Sequence, residues 1–213
     1  MKDIFNKYMN NTLKLDRYQK IAVIASLIVI TGIFGWVYEV IFYYFNGGMK
    51  MFYMRGSNFL PWINIYAIGS FMIIILTHKF KNNRLFVFLI AFISTGILEY
   101  FSGYFLLKIT GMRCWDYNTE ILNFGNIDGF VCLRSVGFFG LSGLLLVYGF
   151  VPGLIWLSTK VNKKTYAIIS VIICSIFLLD ELYNLVFARI LGTPRASSIY
   201  KNLGIPYMNY FDY

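Results

Sequence analysis

Apolar residues in this chain come in five long runs separated by short polar segments. They do not recur at the spacing of an amphipathic helix. Runs of this kind suit lipid on all sides, so the pattern predicts an all-α integral membrane protein with about five transmembrane helices. The runs are residues 21–45, 59–77, 85–107, 129–157 and 166–191. Each is long enough as a helix to cross roughly 30 Å of hydrocarbon at 1.5 Å per residue. The fourth contains Gly137, Gly140, Gly143, Gly149 and Pro152, which predicts a tilt or a kink.

One membrane domain of 213 residues follows: a polar N-terminal segment 1–20, a helical bundle 21–191 and a tail 192–213. The first apolar run is too long for the core of a cleavable signal, so it reads as an anchor.

The connections divide by composition. Residues 1–20, 78–84 and 158–165 carry eleven lysines and arginines, against seven on the alternate side: Lys50, Arg55, Lys108, Arg113, Arg189, Arg195 and Lys201. Basic excess marks the cytoplasmic face, which predicts a cytoplasmic N-terminus and an extracytoplasmic C-terminus. The outer connections are the longer ones and are rich in Gly, Asn and aromatic residues, where function tends to sit. The tail, with Tyr200, Tyr207, Tyr210, Phe211 and Tyr213, reads as an aromatic belt.

Composition agrees with the pattern. The chain is 58% hydrophobic and only 14% charged. Its formal charge of +9 is explained by topology, and nucleic acid is not an expected partner. The bilayer is. The cysteines, Cys114, Cys132 and Cys174, form no CxxC, and His78 is the sole histidine, so no metal site is expected and no cofactor is implied. Whether Cys114 and Cys132 pair stays open, because spacing cannot show proximity.

Charges inside apolar spans are costly and usually face a bundle interior or a cavity. Here they are Glu39, Glu99, Arg134, Asp180 and Glu181. All fall in or near the outer half of their helices, which predicts one shared, outward-facing polar pocket. Small residues accompany both glutamates: Gly35 and Gly32 lie four and seven before Glu39, and Thr95, Gly96, Ser102 and Gly103 flank Glu99. The competing reading is that these acids only join helices. Arg55, Trp115, Asp116 and Asp128 in the outer loops are candidates to line the entrance, although the two aspartates could equally cap helix ends and order the loops. Four in-span carboxylates against one arginine, with many tyrosines and tryptophans nearby, point to a cationic substrate.

A faint internal duplication is also present. Helices 1–2 and 3–4 each read as a glutamate-bearing helix, an arginine-bearing outer loop and a second helix, with Asn58–Gly69 matching Asn126–Gly137 in spacing. This predicts two parallel repeats and a fifth helix left over.

Several stretches together resemble a known family. They are Gly35-Trp36-Val37-Tyr38-Glu39, Arg55-Gly56, Pro61-Trp62, Ile65-Tyr66 with Gly69, and Leu98-Glu99-Tyr100. Trp115-Asp116-Tyr117 and Asn126-Ile127 through Val131-Cys132-Leu133 complete the set. The sequence is similar to the ABC-transporter type IV family of small multi-pass bacterial membrane proteins, over roughly residues 32–140. It departs from the family pattern at Leu60 and Ala67, where glycine is usual, at Asn64, where proline is usual, and at Phe130 and Phe139, usually basic and tryptophan. Arg134, one turn beyond Phe130, is placed to supply the displaced charge.

The resemblance implies a permease component that works with a separate ATPase subunit. The chain itself has no G-x-x-x-x-G-K-[ST], and no G-x-S-x-G or HExxH. Two other readings stay open: a membrane enzyme acting on a lipid or cell-envelope precursor at the outer leaflet, and a structural subunit of a membrane complex. Homo-oligomer formation is left open as well.

Overall fold

The structure is a computed structural model that describes residues 1–46, 53–54, 56, 58–205 and 209–210. A short helix α1 (Lys2–Met9) precedes α2 (Arg17–Asn46), α3 (Asn64–Thr77) and α4 (Arg84–Thr110). Next come α5 (Leu133–Leu145), a π-helical turn (Leu146–Phe150) and α6 (Val151–Lys160), which run on as one span. Helix α7 (Lys163–Leu182) continues into a second π-helical stretch (Tyr183–Ile190), and α8 (Ala196–Asn202) lies in the tail. A two-residue strand β1 (Tyr53–Met54) pairs in parallel with β2 (Asn209–Tyr210), joining the α2–α3 connection to the tail.

Four helical stretches are long and apolar enough to cross a membrane: Arg17–Asn46, Arg84–Thr110, Leu133–Lys160 and Lys163–Ile190. The fifth, α3, has 14 residues, a rise of only about 21 Å. The sequence pattern starts this helix at Phe59, but the structure starts it at Asn64. Residues 59–63 are instead a loop folded into the protein, with Trp62 and Ile63 buried. Irregular backbone at that depth is tolerated where protein satisfies it. Here the Asp180 carboxylate of α7 does so: it accepts from Phe59 N (3.0 Å), Leu60 N (3.0 Å) and Trp62 Nε1 (2.9 Å).

The fourth span starts at Leu133 rather than at Gly129, and a π turn stands just ahead of Pro152. Proline has no N–H to return to the preceding turn, and the wider i→i+5 bonding absorbs the gap.

Outward surfaces are apolar. On α7 alone, Ile168, Ile169, Ile172, Leu178 and Leu179 are exposed. A soluble fold would bury such residues, and in a bilayer they meet lipid. The interior at the α1 end is a cluster around Leu27, Ile73, Val87, Val147 and Leu154. Buried polar ties close that end. Gln19 Nε2 donates to Ser158 O (3.3 Å), and Ser26 Oγ bonds Tyr166 (3.0 Å) and Ser170 (2.9 Å). Lys81 donates to the Tyr8 carbonyl and sits over its ring, anchoring α1 to the 3–4 connection.

Close helix contact depends on small residues. A Cβ on Gly35 would lie 2.1 Å from the Tyr66 ring, so only glycine lets α3 approach α2 there. The two helix pairs share one feature relevant to the predicted duplication. Tyr66, the third residue of α3, donates to Glu39 of α2 (3.2 Å), and Ser135, the third residue of α5, bonds Glu99 of α4 (2.8 Å). The matched Asn-to-Gly spacing is out of step with this by one residue, because α3 begins six residues after Asn58 and α5 seven after Asn126. Cys114, Cys132 and Cys174 are all free thiols.

Candidate functional site

At the end of the bundle away from α1, five helical elements and the 111–132 loop enclose a cavity of about 580 Å³. Helix periodicity explains which side chains reach it. On α4, Glu99, Ser102, Leu106 and Ile109 share a face and form one wall. Tyr38, Glu39 and Phe42 come from α2, and Asn64 with Tyr66 from the start of α3.

The loop is built to reach inward. Asp116 caps the 3-10 turn Tyr117–Thr119, accepting from Asn118 N (3.0 Å) and Asn118 Nδ2 (2.7 Å). Trp115 Nε1 donates to Phe130 O (2.9 Å), and Tyr117 N to Gly129 O (2.9 Å). Gly129 has φ +75°, and a Cβ there would meet Asp116, Asn118 and Arg113 within 2.6 Å. Only glycine satisfies both conditions. The scaffold turns Trp115, Tyr117 and Glu120 toward the cavity.

Two polar centres follow. In the first, Glu99 is buried and accepts from Tyr117 Oη (2.6 Å), with Ser135 Oγ on its other oxygen (2.8 Å). Burial, and then the Glu99 charge, push the Tyr117 phenol well above its ordinary range, so it serves Glu99 as a proton donor. Next to it, Arg134 forms an ion pair with Glu120, and both side chains are largely buried. Glu120 also accepts from Tyr43. The guanidinium stacks on the Phe42 ring at 3.8 Å and on Tyr117 at 5.3 Å. The first turn of α5 reaches Glu99 through Ser135, and a helix N-terminus suits negative charge.

The second centre is a directional hydrogen-bond chain. Arg189 Nε donates to Asn184 Oδ1 (3.3 Å), Asn184 Nδ2 donates to Asn58 Oδ1, and Asn58 Nδ2 donates to Glu181 Oε1 (2.6 Å). Asn58, Glu181 and Asn184 are buried. Donors point one way from a cation to an anion, so each bond polarises the next. The π-helical geometry of residues 183–190 puts Asn184, Leu185 and Arg189 on the cavity side together.

Of the residues singled out in the sequence, Glu39, Glu99, Arg134, Glu181 and Trp115 line this cavity. Asp180, Asp116 and Asp128 do not. Asp180 holds the 59–62 loop, Asp116 caps its turn, and Asp128 is exposed and accepts from Tyr100 Oη (2.9 Å). Arg55 lies outside the described residues. Glu120, Tyr43, Tyr117, Ser135, Asn58 and Arg189 enter the site without having been candidates. Among the described residues no group of His, Cys, Asp and Glu is arranged to hold a metal ion.

The bundle and its end cavity define a multi-pass membrane protein. A family model described as "putative ABC-transporter type IV" matches residues 26–185, and the chain belongs to that family. No curated protein and no solved structure matches it significantly.

Proposed function

We propose that the cavity is the substrate site of a transport system. The chain is its permease-like membrane component, and a separate ATPase subunit supplies energy. One observation carries this reading: Glu39, Glu99 and Arg134, all within the segment that the family model matches but from three different spans, converge on a single cavity. Charge in a span is costly, and gathering it around a cavity is what a polar cargo requires. The substrate is a small polar molecule with a cationic group, received by the two carboxylates and by the aromatic faces of Tyr38, Phe42 and Tyr43.

Mass spectrometry of small molecules retained through purification tests the site. Wild type is expected to retain one, and Glu99→Gln and Glu39→Gln to lose it about tenfold, with melting temperatures within a few degrees of wild type. Equal retention by all three proteins, or retention by none, would remove the site reading.

Sidedness is tested separately. The basic excess at the α1 end supports a cytoplasmic α1 end, with the cavity outside. In a background with serine for the native cysteines, Asn82→Cys is expected to react with a membrane-impermeant maleimide only after lysis. Thr119→Cys, beside Asn118, is expected to react on intact cells. The opposite pattern would turn the cavity toward the cytoplasm.

A further inference from the structure

Four apolar residues that line the cavity are also exposed: Ile68 (55%), Phe105 (56%), Ile109 (66%) and Leu185 (37%). They come from α3, from α4 and from the π-helical end of the last span. A residue that is at once cavity wall and outer surface marks an opening. Here the residues that frame it are apolar and belong to α3, α4 and the last span, a lining that suits hydrocarbon rather than water. A site for a fully soluble cargo needs no such side entrance, because lipid tails would fill it.

Arg189 stands at the polar edge of this opening. Its Nε donates to the Asn184 amide and its Nη1 contacts Cys114 Sγ (2.9 Å), so its direct hydrogen-bond partners among the described residues are neutral. Glu181 is hydrogen-bonded to it through two amides and otherwise acts on it only through space. A guanidinium is a planar fork that matches phosphate oxygens in pairs, and a charge held next to lipid gains most from a direct anionic partner. The hydrogen-bond chain behind Arg189 fixes its position and leaves the rest of the fork toward the cavity.

We propose that the cavity admits a phospholipid from the bilayer between α3, α4 and the end of the last span. Its phosphate binds Arg189, and an acyl chain lies in the groove of Ile68, Ile109 and Leu185. This rests on reading the cavity as a substrate site and names the class of substrate. A head group carrying a cation beyond the phosphate would reach the Glu39 and Glu99 region.

The test uses the full chain, purified in detergent, stripped of lipid and titrated with phosphatidylethanolamine, whose head group carries both the phosphate and a cation, under native mass spectrometry. One phospholipid is expected to bind per chain. Arg189→Gln should weaken it about tenfold, and Leu185→Trp, which fills the groove, by a similar factor. Inorganic phosphate should bind far more weakly than the lipid. Melting temperatures establish that both variants are folded. Lipid binding equal to wild type in both variants overturns the proposal, and so does inorganic phosphate binding as tightly as the lipid, which would mean an anion site with no role for the chain. If Glu99→Gln loses the co-purified molecule while Arg189→Gln leaves lipid binding unchanged, the substrate site stands and the lateral groove falls. If the wild-type protein holds neither molecule, both readings fall.

Discussion

Asp180→Ala is expected to cost about 3–5 kcal/mol of stability, because it strips a buried carboxylate from three donors at once. Phe59 N, Leu60 N and Trp62 Nε1 all point at this side chain, which is itself buried. Alanine leaves three N–H groups facing a pocket without an acceptor. Asp180→Asn is the informative partner. Its single carbonyl oxygen can still serve Leu60 and Trp62, which share one carboxylate oxygen, but its amide then meets Phe59 N donor to donor. An intermediate loss of about 1–3 kcal/mol is expected. Unfolding in mixed micelles measures both. Losses below about 0.5 kcal/mol for alanine would mean that the 59–62 loop is held by packing instead.

Arg134→Met is the second large effect. It leaves Glu120 as a largely buried anion that has lost its guanidinium and still accepts from Tyr43, at a cost of about 3–5 kcal/mol. Glu120→Gln should cost less, since the amide oxygen still accepts from Tyr43 or Arg134, and the guanidinium keeps the Phe42 and Tyr117 rings. The double variant should lose clearly less than the sum of the two, and the difference is the coupling of the pair. Strict additivity in that cycle would show that the ion pair contributes no stability of its own.

These two predictions also mark what could and could not be read along the chain. Arg134 was visible, since a guanidinium in an apolar run has no bland explanation. Glu120 was not. It sits in a loop beside Asn118, Thr119 and Asn123, where an acid is unremarkable, and only the fold carries it under Arg134. Asp180 and Glu181 looked alike in the sequence, yet consecutive residues on a helix point about 100° apart. One therefore faces the loop and the other the cavity. The late start of α3 was hidden for a related reason. Phe59, Leu60, Trp62 and Ile63 are as apolar as the helix they precede, and hydropathy does not distinguish a helix from a loop whose N–H groups are satisfied elsewhere. Arg189 was legible as a charge but was counted with the outer surface, because the π-helical widening that turns it inward leaves no trace in spacing. The cavity's position at one end of the bundle was readable, since every in-span charge lay toward the same ends of its helices.

The dependence of the 59–62 loop on Asp180 also sets an order of biogenesis. The second hydrophobic segment leaves the ribosome more than a hundred residues before the carboxylate that satisfies its entry loop. With only 14 helical residues it is poorly suited to insert and stay put alone. Until the last span arrives, α3 is an unfinished crossing, and Phe59 N, Leu60 N and Trp62 Nε1 must borrow water or head groups. The final transmembrane helix thus acts as an assembly checkpoint. A chain truncated before Asp180 holds every earlier span but lacks the part that closes the membrane domain.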